Sequence, residues 1–178
     1  MTYDHFEHRH RFAVWAAARA SQRGFASIKT LREALESTDI RRFVQSPKSL
    51  DTDDAAFKVH HRRWCTALVK RLQNDGIANV TYGRVAKLIA VYVKAMIVVG
   101  PHARSSLASV AHPPIDRILL KNLVSACVDS PHQANWRATN WTTLDARRYD
   151  VLISELQGVL AKDEPFWTLE RYWTVTDD

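Results

Sequence analysis

The stretch from Val85 to Val99, VAKLIAVYVKAMIVV, most constrains the fold of this chain, because its only charged side chains are Lys87 and Lys94. Thr81 is a good N-cap residue ahead of it and Gly100-Pro101 follows it, so the sequence predicts a largely buried helix between them. The two lysines share one face of that helix. Burial in apolar surroundings disfavours the charged form of a lysine, which lowers its pKa and makes its amine a nucleophile near neutral pH.

Helical periodicity extends over nearly the whole chain of 178 residues. Hydrophobic residues at 46% and charged residues at 25% are ordinary for a globular domain. Only five glycines and six prolines leave little room for a turn-rich β fold. We therefore predict one compact, all-α domain over residues 1–178, with about seven or eight helices and no internal repeat or linker.

Capping residues and apolar spacing set the boundaries of the predicted helices. The first helix carries Phe12 and Trp15 and stops near Gly24. The others are residues 28–36 after Ser27, a short turn after Asp39, a long helix from Asp53 or Asp54 to Asn74, the apolar helix, residues 116–128, residues 144–162 after Thr143, and a closing helix from Pro165 to about Trp173. Residues 45–52, 101–113 and 129–142 are predicted to be loops. Trp15 and Trp64 are predicted to lie in the core.

Composition disfavours several kinds of site and location. Cys65 and Cys127 are too few for a disulfide framework, and without a CxxC pair a cysteine-based zinc site is excluded. His5, His8 and His10 lack partners at ligand spacing, so no metal is expected. No apolar stretch reaches the roughly 18 residues of a membrane span, and the N-terminus lacks the apolar core of a signal peptide. We expect a cytoplasmic protein, a monomer by default, that uses no cofactor.

A carboxylate follows the apolar helix. The segment Ala111-His-Pro-Pro-Ile-Asp116 places Asp116 at the start of the next predicted helix, 29 residues after Lys87. A lysine in apolar surroundings followed by a carboxylate at a helix start combines a nucleophilic amine with an acidic group. This pair is the one constellation in the sequence that suggests chemistry.

Two short motifs around this pair resemble a known family. Ala86-Lys-Leu-Ile-Ala-Val-Tyr-Val-Lys94 and His112-Pro-Pro-Ile-Asp-Arg-Ile-Leu-Leu120 resemble the helix-hairpin-helix DNA glycosylases, most closely the archaeal GO glycosylases that excise 8-oxoguanine. The resemblance implies a glycosylase-like core at residues 53–128, with Lys87 as Schiff-base nucleophile and Asp116 as catalytic carboxylate. Lys94 would support the site, or be the nucleophile instead. Double-stranded DNA with a modified base would be the partner, and AP lyase activity would follow base removal.

Each of these residues also has a purely structural interpretation. A lysine in an apolar helix commonly lays its chain along the core and places its amine in water. Asp116, after two prolines, is a natural N-cap. If both residues have only these structural roles, the chain would be a glycosylase-like DNA-binding module without catalytic activity, or a helical domain that binds other proteins.

Further residues are candidates for contacts with DNA, since the net charge of +6 permits attraction to phosphates. Three arginines flank the proposed site and are the first candidates for phosphate contacts: Arg84, Arg104 and Arg117. A second group shares the helix over residues 54–74: Arg63, Lys70 and Arg71. The candidates for a pocket around an extruded base are His112, Trp136 and Trp141. Of these, Trp141 is the least explained by packing.

Overall fold

The computed structural model describes residues 3–22 and 24–174, and every regular element among them is helical. The nine α-helices are α1 (His5–Ser21), α2 (Ile28–Glu36), α3 (Ile40–Gln45), α4 (Asp54–Asn74), α5 (Tyr82–Val93), α6 (Ser106–Val110), α7 (Arg117–Ala126), α8 (Gln133–Ala138) and α9 (Ala146–Gln157). Three 3₁₀ segments and one π-helical turn complete these elements: Pro47–Asp51, Trp141–Thr143, Phe166–Tyr172 and, for the π turn, Lys94–Val98. The helices enclose one hydrophobic core, which confirms the predicted all-α domain.

Helix α5 is the central element of the domain. All but two of its 12 residues are buried, and a helix without a polar face is stable only when other elements surround it. Helices α1 and α4 pack against it, as do α9 and the Trp141–Thr143 segment. Within the part of the chain that the structure describes, no helix is both long and apolar enough to cross a bilayer.

Side-chain caps begin several helices at the predicted positions. Ser27, Asp53 and Thr81 each accept a hydrogen bond from the backbone N–H three residues further on. Gly76 follows α4 with a φ of 76°, the left-handed conformation that commonly ends a helix. These local signals explain why the predicted starts of α2, α4 and α5 are confirmed.

The predicted loops contain short helical segments, so there are more helices than expected. Helix α6 lies within 101–113, α8 within 129–142, and a 3₁₀ segment within 45–52. Each is six residues or shorter, and so short a segment shows no apolar periodicity that would distinguish it from a loop.

The predicted bounds of the last long helix are wrong. Helix α9 begins after Asp145 rather than Thr143, because the Asp145 carboxylate accepts a hydrogen bond from the N–H of Arg148, and it ends at Gln157 rather than Lys162. The predicted closing helix after Pro165 is present as a 3₁₀ helix over Phe166–Tyr172.

The two tryptophans predicted in the core differ in position. Trp64 is buried on α4, as predicted, whereas Trp15 on α1 is 51% exposed. The buried face of α1 consists largely of small residues, including Ala13, Ala17 and Ala18. These small side chains let α1 lie close to α5, and Trp15 is left on the opposite side.

Candidate active site

Lys87 and Asp116 meet in the interior of the domain. Lys87 lies in the second turn of α5, and the irregular segment 111–116 brings Asp116 to the N-terminus of α7. Lys87 Nζ is 3.0 Å from Asp116 Oδ2. The two side chains are only 6% and 10% exposed. Lys87 therefore does not reach water in the way that the structural interpretation of an apolar-helix lysine requires.

Asp116 uses its two carboxylate oxygens differently. Oδ1 accepts hydrogen bonds from the backbone N–H groups of Ile118 (3.0 Å) and Leu119 (3.1 Å), so Asp116 is the N-cap of α7. Oδ2 accepts hydrogen bonds from Lys87 and from the Trp173 indole N–H, both at 3.0 Å. Burial raises the pKa of Asp116, but the Lys87 charge and the donated hydrogen bonds outweigh it, so the pKa lies below its ordinary value. Asp116 is therefore ionised at neutral pH.

A pocket of about 280 Å³ opens against this pair. Lys87, Asp116 and Lys94 all line it, which confirms that the two lysines share a helix face. The remaining lining is mostly apolar and comes from α1, α5 and the segments that flank α5 and α7: Phe12, Ala16, Ala20, Val91, Ala95, Val99 and Pro114, with Glu170 and Trp173. The pocket is thus an apolar space with its charged groups at one wall.

Lys94 lies at the mouth of this pocket and has its own partner. It forms an ion pair with Glu170, and its Nζ lies 5.8 Å from the ring centroid of Trp173. Lys94 also begins the π-helical turn that follows α5, a distortion found frequently at functional sites. Its side chain is 33% exposed, against 6% for Lys87. Lys87 is therefore the more deeply buried amine and the one in contact with Asp116.

Trp141 covers another side of the Lys87 amine. The Lys87 Nζ lies 4.7 Å from the centroid of the Trp141 ring, within the range of a cation–π contact. Two hydrogen bonds fix the tryptophan segment against the start of α5. The Gly83 N–H donates to the Leu144 carbonyl (3.0 Å), and the Thr81 hydroxyl donates to the Thr142 carbonyl (2.7 Å).

The other two candidates for a base pocket lie elsewhere. His112 Nδ1 is 3.1 Å from the Tyr149 hydroxyl oxygen, and the His112 ring packs on Phe57. Burial holds the pKa of His112 well below its ordinary value, so the imidazole is neutral. Trp136 is buried and donates its indole N–H to Glu155 at 3.1 Å. None of the three candidates, His112, Trp136 and Trp141, is among the residues that line the pocket beside Lys87, although Trp141 contacts the Lys87 amine.

The candidates for phosphate contacts differ in their surroundings. Arg63 and Arg71 are paired with Asp39 and Asp75, so their charges are locally compensated. The Arg84 guanidinium packs over an aromatic ring at 4.9 Å from the ring centroid. The last three are exposed, and among the residues that the structure describes no ion pair engages them: Lys70, Arg104 and Arg117.

Sequence reasoning missed Glu170 and Trp173 as part of the site. They come from the 3₁₀ segment Phe166–Tyr172 and the residue after it, 57 residues beyond Asp116 in the case of Trp173. The sequence predicted only a closing helix in this segment. The sequence feature that could have indicated this part of the site is Glu170, an acidic residue within an aromatic-rich stretch. An acidic residue that is partly buried requires a cationic partner.

The arrangement is suited to chemistry at an amine. An apolar pocket excludes water, a carboxylate lies at hydrogen-bond distance from the amine, and an aromatic ring lies against the amine. Within residues 3–22 and 24–174, no group of three or more His, Cys, Asp or Glu side chains is arranged to hold a metal ion.

No protein-family model matches this chain, and neither the curated proteins nor the solved structures contain a match. The function must therefore be argued from the geometry of the site.

Proposed function

We propose that this protein is a DNA glycosylase with AP lyase activity that removes a modified base, with 8-oxoguanine as the first substrate to test. The observation that carries the proposal is the buried contact of 3.0 Å between Lys87 Nζ and Asp116 Oδ2 at the wall of an apolar pocket. The resemblance of the surrounding motifs to the helix-hairpin-helix glycosylases assigns these two residues the roles of nucleophile and carboxylate.

The proposed reaction begins when the target nucleotide leaves the duplex and enters the pocket. Lys87 first passes its ammonium proton to Asp116, which releases it to solvent, and the neutral amine then attacks C1′ of the sugar and forms a C–N bond. The bond between C1′ and the base breaks, and the base leaves with the electron pair and takes up the extra proton of the alkylated Lys87 nitrogen. Asp116 stabilises the positive charge that develops on the sugar during this step.

Strand cleavage follows from the covalent intermediate. The sugar ring opens as the C1′–nitrogen bond becomes an iminium, the Schiff base. Loss of a proton from C2′ then expels the 3′ phosphate by β-elimination, and water releases Lys87. Asp116, at hydrogen-bond distance from the Lys87 nitrogen, is positioned to relay the protons of that nitrogen.

The shape and lining of the pocket suit a flat, weakly polar group. Apolar side chains of α1 and α5 form most of its wall, and the indole of Trp173 borders it. Planar bases gain binding energy by contact with such surfaces. The ion pair between Lys94 and Glu170 supplies polar groups at the edge of this space, where they could meet the polar edge of a base.

Borohydride trapping tests the proposal. Duplexes carrying 8-oxoguanine, uracil or an abasic site are incubated with the protein and borohydride, which reduces a Schiff base to a stable adduct. We expect an adduct with at least one duplex, lost in Lys87→Ala and retained in Lys29→Ala, whose side chain is 78% exposed on α2. Loss in Lys94→Ala alone would move the nucleophile to Lys94. An abasic duplex that gives no adduct with the wild-type protein would exclude the amine mechanism.

One observation favours a second function, a DNA-binding module without catalysis. Both oxygens of Asp116 already accept hydrogen bonds, and Lys87 is paired with it, as in a purely structural buried ion pair. Duplex binding that survives in a Lys87→Ala/Asp116→Asn variant, together with no adduct on any duplex, would support this function.

A further inference from the structure

A second pocket is lined by Trp141, whose ring contacts the Lys87 amine. It has a volume of about 490 Å³ and is formed by the packing of α7 against α8 and the start of the Trp141–Thr143 segment. Trp136 and Trp141 contribute aromatic surface, and Ser125, Thr139 and Asn140 contribute polar groups. Among the residues that the structure describes, its charged lining residues are all cations, Arg117, Lys121 and Arg137, and no carboxylate lines it.

Among the described residues, this pocket contains cations without carboxylates, unlike the basic surface on α4. On α4 and nearby, carboxylates accompany the cations: Arg62 pairs with Asp150, and Lys58 pairs with Asp54. Among the described residues, no ion pair engages the cations of the second pocket. Arg117 and Lys121 are also one turn apart on α7, a like-charge spacing that destabilises a helix slightly. This arrangement does not stabilise the fold, but it would stabilise a bound anionic ligand.

The position of this pocket connects it to the Lys87 site. Trp141 lines the pocket and also contacts the Lys87 amine with its ring, 4.7 Å from Nζ to the centroid. Arg117 follows Asp116 directly in the chain. The two pockets are therefore neighbours: Asp116 lines the first and Arg117 the second, and Trp141 of the second contacts Lys87 of the first. A strand whose nucleotide entered the Lys87 site would have its neighbouring phosphates near the second pocket.

We propose that Arg117, Lys121 and Arg137 form a phosphate-binding subsite for the DNA backbone beside the nucleotide held at Lys87. The identity of the ligand as DNA rests on the proposed function, whereas binding at the subsite needs no reaction. Exposed cations contact phosphates at little desolvation cost, and each contact releases counterions from the DNA. The contacts would fix the register of the strand without reading its sequence.

Salt-dependent binding tests this subsite. Fluorescence anisotropy is measured on a duplex with an unreactive tetrahydrofuran abasic analogue over a series of KCl concentrations. In the triple variant R117Q/K121Q/R137Q we expect the slope of log K against log [KCl] to become less negative by about 2–3, and binding to weaken by roughly tenfold or more. The matched control is K29Q/R62Q/R148Q, which removes the same charge from exposed residues held in ion pairs.

The control separates the pocket from general electrostatics. Equal losses in the two triple variants, an unchanged slope in the first, or absence of duplex binding by the wild-type protein would each overturn the subsite. Because the probe cannot react, the result does not depend on Lys87 chemistry. Binding through the pocket without any borohydride adduct would overturn only the proposed reaction, and an adduct with an unchanged salt slope would overturn only the subsite.

Discussion

The α-carbon of Gly83 faces the backbone of Trp141 so closely that a methyl group on it would lie 2.0 Å from the Trp141 carbonyl oxygen. Gly83 is one turn before Lys87 on α5, so the two positions share a helix face. The missing side chain at Gly83 lets the tryptophan segment approach α5, and the indole ring then reaches the Lys87 amine. A glycine that carries no reactive group thus determines the surroundings of the proposed nucleophile.

Gly83→Ala is expected to destabilise the protein by about 1–3 kcal/mol, because the new methyl group must displace the backbone at Trp141. The hydrogen bond from the Gly83 N–H to Leu144 would weaken at the same time. Thermal or urea unfolding measures the change. Gly158→Ala is the matched control, since the nearest atom to its methyl group would be 3.3 Å away. Equal effects of the two substitutions would contradict the close approach.

Lys87→Met is expected to destabilise the protein by about 3 kcal/mol, because it leaves the Asp116 carboxylate buried without its cation. Adding Asp116→Asn should restore part of this loss, since the uncompensated charge is then gone. Unfolding free energies of the two single variants and the double variant give the coupling between the residues, expected at about 1–2 kcal/mol. Strictly additive effects would show that the two side chains do not interact in solution.

Acid should destabilise the wild-type protein more than Asp116→Asn. The pKa of Asp116 is lowered in the folded protein, so its contribution to stability is complete above the unfolded pKa of about 4. It is lost as the pH falls from there through the folded pKa, because the unfolded chain then binds the proton more tightly. The difference in unfolding free energy between the two proteins, measured from neutral to acid pH, should shrink in that window. A constant difference would contradict the prediction.

Trp173→Phe should narrow this acid effect, because the folded pKa that sets its lower limit rises while the unfolded pKa that sets its upper limit is unchanged. The substitution keeps an aromatic ring but removes the N–H that donates to Asp116 Oδ2, so the pKa of Asp116 rises towards its ordinary value. Trp167→Phe is the matched control, because among the described residues the Trp167 indole N–H has no hydrogen-bond partner. We expect its acid limb to coincide with that of the wild-type protein, and a shift of equal size in both variants would refute the role of Trp173.

Local signals in the sequence predicted the parts of the site that depend on helix geometry. Thr81 begins α5 and Asp116 begins α7 through hydrogen bonds to nearby backbone N–H groups, and such caps depend on a few adjacent residues. The absence of a polar face on α5 required its burial, and with it the burial of Lys87. The pairing of the two residues was expected from the family resemblance, and its geometry came from the structure.

Long-range partners could not be predicted in the same way. Glu170 and Trp173 reach the site because a 3₁₀ segment packs against α6 and α7, and nothing near Lys94 in the sequence indicates this. The segment 111–116 carries His112 to Tyr149 and Asp116 to Lys87, two destinations that only tertiary packing distinguishes.

The pairing of surface charges could not be predicted from the sequence either. Arg63 and Arg71 form a basic group in the sequence, yet carboxylates compensate them in the structure. Lys121 is not among the candidates from the sequence, but it lies in a pocket that no carboxylate of the described residues lines. A count of basic residues therefore predicts the net charge of a surface poorly, because acidic partners come from other elements.

The divided hydrogen bonding of Asp116 has a consequence for the comparison of related sequences. One of its oxygens begins α7, so selection for folding alone would keep an N-cap residue at this position. Lys87 begins no helix, and its contribution to folding is to compensate the buried charge of Asp116. An apolar residue at position 87 is therefore expected together with an asparagine at position 116, which keeps the cap of α7 and removes the charge.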